Sequence, residues 1–506
     1  MRMDSNWSKQ INRTPQVGSL ALPDLAQKGS ESATSTLKRA MNYFNISEDD
    51  IQKVINKGLG YGGEYVDLFF EHTQRNSIGL RDGEVNSCSS TIDYGVGVRV
   101  VIGDQTGYAY VEQVALPEML RAAEMAARIA AGKQQFYSKP FVPIVIPDYY
   151  AVEKPWEALS IKEKVPFLQQ INRIAFSLDN RVTKVVASLS DTTSHILFCN
   201  SDGSAYYDYR PRVAVSVFCV MQDGNRIENG YASRAYQIGF ELLSMDFIHE
   251  LTKEAIRNTA LLFQAIKPKG GEMPVVMGAG GSGILLHEAI GHAFEADFNR
   301  KNTSIFADKL GKKICSKQIT VFDDATIPHN RGALNIDDEG VIGQKTVLVK
   351  EGVLNSYLHD RISARYYGVK PTGNGRRESF RSMPIPRMRA TYMDSGKYTK
   401  EDIISSVDKG IYVDQFTNGQ VQIGAGDFTF FVKSGYLIEQ GVLTQPIKDV
   451  NIIGNGPRAL ADITMVGNDG VIDNGTWTCG KSGQSCPVTC GMPTALVRKL
   501  TVGGIS

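Results

Sequence analysis

Apolar residues in this chain recur every three to four positions in some segments and cluster or alternate in others, and this contrast separates helices from strands. Ser47, with Asp50 three residues on, opens a helix carrying Ile51, Val54 and Ile55 that stops at Gly58. Residues 65–71 and 95–100 are rich in apolar, β-branched and aromatic side chains and read as strands. A strong helix starts near Pro117, presents Met119, Leu120, Ala123, Met125, Ala126 and Ile129, and has Gly132 past its end. Ser160 and Glu163 open another, with Phe167, Leu168, Ile171 and Ile174 on its apolar face. Four short strands at 182–190, 195–200, 205–209 and 213–221, with a turn at Ser201-Asp202-Gly203, predict an antiparallel meander. A helical stretch over 245–265 then meets the breakers Lys267-Pro268-Lys269-Gly270-Gly271.

That punctuation divides the chain into three. Residues 1–36 are polar and aperiodic, a loosely attached arm. Residues 37–266 form a mixed α+β domain with an antiparallel sheet and helices. Residues 267–506 form a mainly antiparallel β domain, with a helix near 287 and another near 400–408. Two matching hairpin patterns, at 348–355 and 437–444, each place Gly in the turn and predict similar hairpins in one large antiparallel sheet or barrel. The predicted fold class is therefore α+β, with the chemistry in its second half.

The chemistry begins where a strand-like run over 273–277 passes through the glycine turn 278–283 into His287-Glu288-Ala289-Ile290-Gly291-His292, an HExxxH pattern. Neutral imidazoles are good Zn²⁺ ligands, and the adjacent Glu288 can act as a base toward water. The familiar spacing is four. Five residues on a regular helix leave the two rings about 140° out of register. Both reach one ion only if the helix widens locally, as in a π-bulge, or unwinds near Gly291, where the missing Cβ eases distortion.

Gly278-Ala279-Gly280-Gly281-Ser282-Gly283 is also a GxGxxG between a strand and a helix, which suits a dinucleotide-binding turn. That fingerprint requires a second strand with an acidic residue about 20 residues on. Instead the sequence stays helical through Asp297 and enters the polar Arg300-Lys301-Asn302-Thr303-Ser304.

Charge and cysteine usage narrow the setting. The 506 residues carry 55 Lys plus Arg against 54 Asp plus Glu, a net charge of +1, so no global field favours nucleic acid or an anionic membrane. Cys88, Cys199, Cys219, Cys315, Cys479, Cys486 and Cys490 are an odd, mostly scattered set that fits a reducing compartment better than a disulfide framework. No signal-like or membrane-spanning apolar run is visible, so a cytoplasmic location is expected.

A catalytic zinc usually takes three protein ligands, so two histidines need a third. Glu295 and Asp297, a little downstream on the same predicted helix, compete with the cysteines. Cys479 is the best candidate cysteine. It lies in Trp477-Thr478-Cys479-Gly480-Lys481-Ser482-Gly483-Gln484, where glycines permit close backbone approach and Lys481 can favour the thiolate. Cys486 and Cys490 fit no common zinc ribbon, and ordinary burial suits them better.

With this combination the chain resembles the TldD/PmbA family of peptidases, on its TldD-type, metal-binding branch. The resemblance rests on residues 281–292, Glu295, Asp337-Asp338-Glu339-Gly340, Thr372-Gly373-Asn374-Gly375-Arg376-Arg377 and the Cys479-to-Gln484 segment, and spans most of the chain from about residue 40. It implies a Zn²⁺ held by His287, His292 and Cys479, with Glu288 as base. It further implies a two-domain subunit that dimerises around an enclosed cavity admitting unfolded peptides. A homodimer is expected, since this chain keeps all the ligands, with a hetero-oligomer of unlike related subunits as the alternative. Arg376, Arg377, Arg387 and Arg389 are candidates to hold a peptide carboxylate or line the cavity. A dinucleotide-dependent oxidoreductase using the glycine turn, and a non-enzymatic modulator of a larger complex, stand as the competing functions.

Overall fold

A computed structural model describes residues 32–129, 136–422 and 425–504. Residues 1–31, most of the expected arm, lie outside the described residues, as does Gly132. The end of the arm is ordered, contrary to expectation. Ser32 caps α1 (Ala33–Tyr43), its hydroxyl accepting from the Ser35 amide at 3.2 Å, and Leu37, Ala40 and Met41 are buried. This helix hides in the sequence because its apolar face is only a few residues long among Ser, Thr, Lys and Arg.

The first half is built on one sheet: β1 (Tyr65–Arg81), β2 (Glu84–Ile102), β3 (Gln105–Val111), β4 (Val142–Pro143), β5 (Val182–Asn200), β6 (Ser204–Asp223) and β7 (Arg226–Tyr236). The order is β3-β2-β1-β5-β6-β4 with β7 also on β6, and every pairing but β4 with β6 is antiparallel. The four predicted meander strands are two long ones, β5 and β6. The polar stretch that seemed to interrupt β5 is buried inside the sheet. Asp191 accepts from Lys164 Nζ at 2.6 Å, and Thr73 Oγ1 lies 2.8 Å from Ser194 Oγ.

These long strands feed two apolar cores with that polar belt between them. Val66, Leu68, Phe70, Leu197 and Cys199 pack with α1, α2 (Glu48–Leu59) and α3 (Leu116–Ile129). At the other end, Ile78, Leu80, Val185 and Leu189 pack with α4 (Ile161–Leu178) and α5 (Met245–Leu261). The Ser160–Glu163 capping box is present, with Glu163 accepting from the Ser160 amide at 2.8 Å.

From residue 271 onward two larger sheets stack around a third core. One runs Lys409–Gln422, Gly271–Met277, Ala495–Gly503, Val450–Asn455, Asp427–Glu439, Val442–Ile447, and a further pairing of Lys409–Gln422 with Asp427–Glu439 closes five of these strands into a ring. The other runs Val353–Leu354, Lys345–Lys350, Val321–Asp324, Ala390–Met393, Thr489–Met492, Val471–Asp473. Antiparallel pairing dominates, with parallel exceptions between Gly271–Met277 and Lys409–Gln422 and between Ala390–Met393 and Thr489–Met492. Both predicted hairpins exist, and Glu351-Gly352 and Gln440-Gly441 each turn with positive φ at both residues. They belong to different sheets, however, so the echo is local turn chemistry and not a shared sheet. Besides the predicted helix, found at Lys400–Ser405, two short helices at Arg361–Tyr367 and Gly456–Ala461 were not legible.

The halves are tied by the acidic segment 337–340. Arg99 of β2 donates to Asp67 through Nε at 2.7 Å and to Glu339 through Nη1 at 2.6 Å. Arg210 of β6 reaches Asp338 at 2.7 Å, and the Tyr206 hydroxyl donates to the Asp337 carbonyl at 2.8 Å. No described helix is long and apolar enough to cross a membrane.

Candidate metal centre

Strand Gly271–Met277 ends in the glycine turn, where Gly280 adopts φ +85° and Gly283 runs so close to Gly491 that a Cβ there would lie 2.3 Å from its amide nitrogen. Both glycines thus serve backbone geometry. No strand exists among residues 301–320, so the second strand of a dinucleotide-binding unit is missing where it would have to stand.

The helix that follows is regular for only one turn, Ile284–Leu286, and then widens. His287–Gly291 form a π-helical turn in which the His292 amide donates to the His287 carbonyl, five residues back. The widening predicted from the spacing is therefore observed, and it swings the two rings onto one side, with centroids 5.1 Å apart. Gly291 has a different role from the one expected. Its φ of −59° and ψ of −51° are ordinary helical values, but a Cβ would sit 2.1 Å from Met388 Sδ.

After Phe294 the chain turns extended at Glu295, so Glu295 does not continue the histidines' helix as expected. Cys479 comes from the far end of the chain, on a hairpin of Thr478–Lys481 with Gln484–Pro487 whose turn places Ser482 and Gly483 at positive φ. Its Sγ is 3.3 Å from His292 Nε2. One ligand atom from each of His287, His292 and Cys479 lies within 4.8 Å of the others, and all three residues are buried. Cys486 and Cys490 are buried too, and burial pushes both thiols up.

Glu295 stands behind the group and outside it. Its Oε2 is 2.9 Å from His292 Nδ1 and 3.1 Å from Lys481 Nζ. Burial would raise this carboxyl, but Lys481, His292 and Arg387 overcome it and hold it down at about 2. Asp297 is likewise occupied by Lys481, at 2.7 Å. Lys481 thus pairs with carboxylates and not with the thiol. Burial works against the Cys479 thiolate as well, yet His287 and His292 outweigh it and bring the thiol down to about 5. His292 moves the other way: burial lowers it, and Glu295 and Cys479 lift it well above the usual imidazole value.

Two nitrogen donors and one acidified sulfur, with His287 Nδ1 buried and lacking a hydrogen-bond partner, fit a borderline-soft divalent ion. A carboxylate on the far nitrogen of His292 is the usual orienting partner of a metal-bound histidine. Sequence reasoning placed Glu295 among rival ligands; the HxxE spacing was the available signal for this second role.

Glu288 is half-buried and shares with His287 a space of about 220 Å³ walled by Thr417, Gly419, Trp477 and Thr478. Thr417, Trp477 and Thr478 also border a cleft of about 670 Å³ lined by Ala279, Gly280 and Asp414. Nothing in the sequence pattern marked Asp414 or Thr417.

The four candidate arginines are not gathered at this opening. Arg389 is fully buried and donates to Asp323 Oδ1 at 2.7 Å. Arg387, also fully buried, donates to the Cys479 carbonyl at 2.6 Å and so pins the ligand hairpin. Arg377 donates to the Asp338 carbonyl at 2.9 Å, and Arg376 to the carbonyls of Met388 and Pro487. Arg387 and Arg389 therefore present no free face to a peptide. Arg376 and Arg377 border a separate cavity between the two halves.

A widened HExxxH turn that brings two histidines to a distant cysteine is a ligand arrangement of the kind a metallopeptidase needs, and comparison with known proteins places the chain in a family of that class. Family models match residues 66–130 (PmbA/TldA metallopeptidase domain 1), 154–263 (central domain) and 270–504 (C-terminal domain). The chain belongs to the PmbA/TldD family of metallopeptidases, on its TldD side. It is 42% identical to a metalloprotease TldD homolog of Haemophilus influenzae over 87% of this chain and 93% of that one. Identity to a homolog of the same description from Buchnera aphidicola is 40%, over 92% and 98%. In fold it is similar to TldE from Thermococcus kodakarensis, with a TM-score of 0.69 at 19% identity, covering 90% of this chain and 100% of that one. A Bacteroides thetaiotaomicron protein described as a proposed modulator of DNA gyrase aligns with a TM-score of 0.71 at 20% identity, over 90% and 99%.

Proposed function

We propose that the chain is a zinc peptidase acting on unfolded or extended peptides as part of a dimer that encloses the cleft. The observation that carries this reading is the meeting of His287, His292 and Cys479 within 4.8 Å beside a space that also holds Glu288. Zinc held by these three residues would supply Lewis acidity toward a scissile carbonyl and toward water. Glu288, unengaged by any hydrogen bond or ion pair among the described residues, takes the proton of the attacking water and returns it to the leaving amine nitrogen. Glu295 holds the His292 ring through Nδ1, and Arg387 holds the strand that carries Cys479.

The cleft suits an extended chain. Strand Lys409–Gln422 pairs with Gly271–Met277 only through Val413, after which Asp414 and Thr417 line the opening. A peptide laid along that edge would be read through its main chain. The cytoplasm suits a free, acidified thiol at the metal site.

Elemental analysis of protein purified without chelator, combined with cleavage of an extended, internally quenched peptide, tests the proposal. Glu288→Gln is expected to keep one zinc per chain and lose cleavage by roughly 10²-fold or more. Wild-type protein that takes up no metal, or a variant that cleaves undiminished, would overturn it.

A further inference from the structure

Between the two halves lies a cavity of about 250 Å³ lined by three arginines and a single carboxylate, Glu378. Arg212 and Arg331 line it together with Arg75, Ser190, Thr192 and Ser485. Arg75 is paired with Asp93. Arg212 and Arg331 have no carboxylate partner among the described residues. Arg212 donates to Ser194 Oγ at 3.2 Å, and its Nε is buried without a partner. Arg331 donates to the Trp477 carbonyl at 3.0 Å and to Thr478 Oγ1 at 3.3 Å. Arg376, on a smaller cavity that also touches Arg212 and Arg331, donates only to carbonyls.

The acidic groups nearby form no ion pair with them, although Glu71 offsets part of the charge of Arg212. Asp338 is committed to Arg210 and the Arg377 amide. Glu71 accepts from the Thr73 hydroxyl and the Phe380 amide. The exposed Glu378 makes no ion pair with either arginine among the described residues.

Guanidinium groups gathered without counter-charge destabilise the protein unless an anion joins them. Burial and the neighbouring Arg75, Arg331 and Arg210 push Arg212 down to about 10, and burial with Arg376 does the same to Arg331. The place of the cavity supplies the rest. Thr478 borders it and also borders the space holding His287 and Glu288, and is itself the neighbour of Cys479.

We infer that the Arg212–Arg331 cavity is a carboxylate-binding subsite that receives an anionic group of the peptide being processed. The forked guanidinium matches a planar carboxylate and would bind it by charge-assisted hydrogen bonds. That carboxylate is either the C-terminus of the peptide or an acidic side chain. The inference rests on the peptidase reading for the identity of the ligand, but not for the existence of the anion site.

Calorimetry with zinc-loaded Glu288→Gln protein separates the two, because it reads binding without turnover. Four peptides of one sequence are compared, with a free or amidated C-terminus and with Glu or Gln at one internal position. The site requires that at least one carboxylate tighten binding roughly ten-fold or more. Dependence on the terminus identifies the chain end as ligand, and dependence on Glu identifies the side chain. Arg212→Gln, added to this background, is expected to erase the difference while the amidated Gln peptide binds as before. Arg212→Lys should retain part of it, and Arg498→Gln, an exposed arginine paired with Asp462, should retain all of it. Equal binding of all four peptides, or loss of the difference in Arg498→Gln to the same extent, overturns the anion site. Charge-dependent binding in a protein whose Glu288 form cleaves nothing would overturn the peptidase reading and leave the anion site standing.

Discussion

Glu295 Oε2 lies 2.9 Å from His292 Nδ1, although the two residues sit on differently folded backbone, one closing a helical turn and the other extended. The carboxylate fixes the ring and leaves Nε2 facing Cys479. Glu295→Gln is therefore expected to lower zinc affinity by about 10–100-fold, measured by competition with a chelating indicator. Unchanged affinity would reduce Glu295 to a partner of Lys481 alone.

Gly291 meets Met388 at a distance that leaves no room for a methyl group. Gly291→Ala should lower stability by about 1–3 kcal/mol through overpacking, read from the midpoint of denaturant unfolding. Adding Met388→Ala should recover part of that loss. A double variant no better than the single one would point to the backbone and not to the contact.

His359 is buried against Tyr357 and Tyr367, its Nδ1 lacks a partner, and burial pushes its imidazole down to about 4. The unfolded chain binds this proton near pH 6.5, so stability is complete above that value and falls as pH drops toward 4. The full loss is about 3 kcal/mol for a shift of this size. His359→Phe should flatten the pH dependence of stability between pH 6.5 and 4 relative to wild type, and an unchanged slope would assign it to other groups.

Arg99 joins Asp67 on β1 to Glu339 in the second half, with all three side chains out of solvent. Arg99→Met leaves the buried carboxylates of Asp67 and Glu339 without their shared guanidinium and should cost about 3–5 kcal/mol. Because Arg99 spans the halves, unfolding followed by separate probes in each half should lose coincidence in this variant. A cost below about 1 kcal/mol would show that Arg377, which also approaches Asp67, takes over its charge.

Local pattern carried much of the fold. The Ser160–Glu163 cap, the Glu351-Gly352 and Gln440-Gly441 turns and the apolar faces of α2 through α5 are set by residues a few positions apart. Longer elements were misread where polarity and burial part company. The stretch around Asp191 looked like a break because its polar residues seem to seek water, when Lys164 and Thr73 satisfy them inside the sheet. The short helix α1 had too few apolar residues to announce itself.

By itself the sequence determined the two histidines and a short set of candidate third donors, from which the family resemblance singled out Cys479, and it determined that a shared ion would require the helix between the histidines to widen or unwind. What only the tertiary structure decided was which charges are free. Arg387 and Arg389 are spent inside the fold, whereas Arg212 and Arg331, from opposite halves of the chain, face one cavity without an ion-pair partner among the described residues. Charge type is written residue by residue, but whether a charge is compensated depends on neighbours brought from far along the chain, 92 positions for Arg387 and 66 for Arg389.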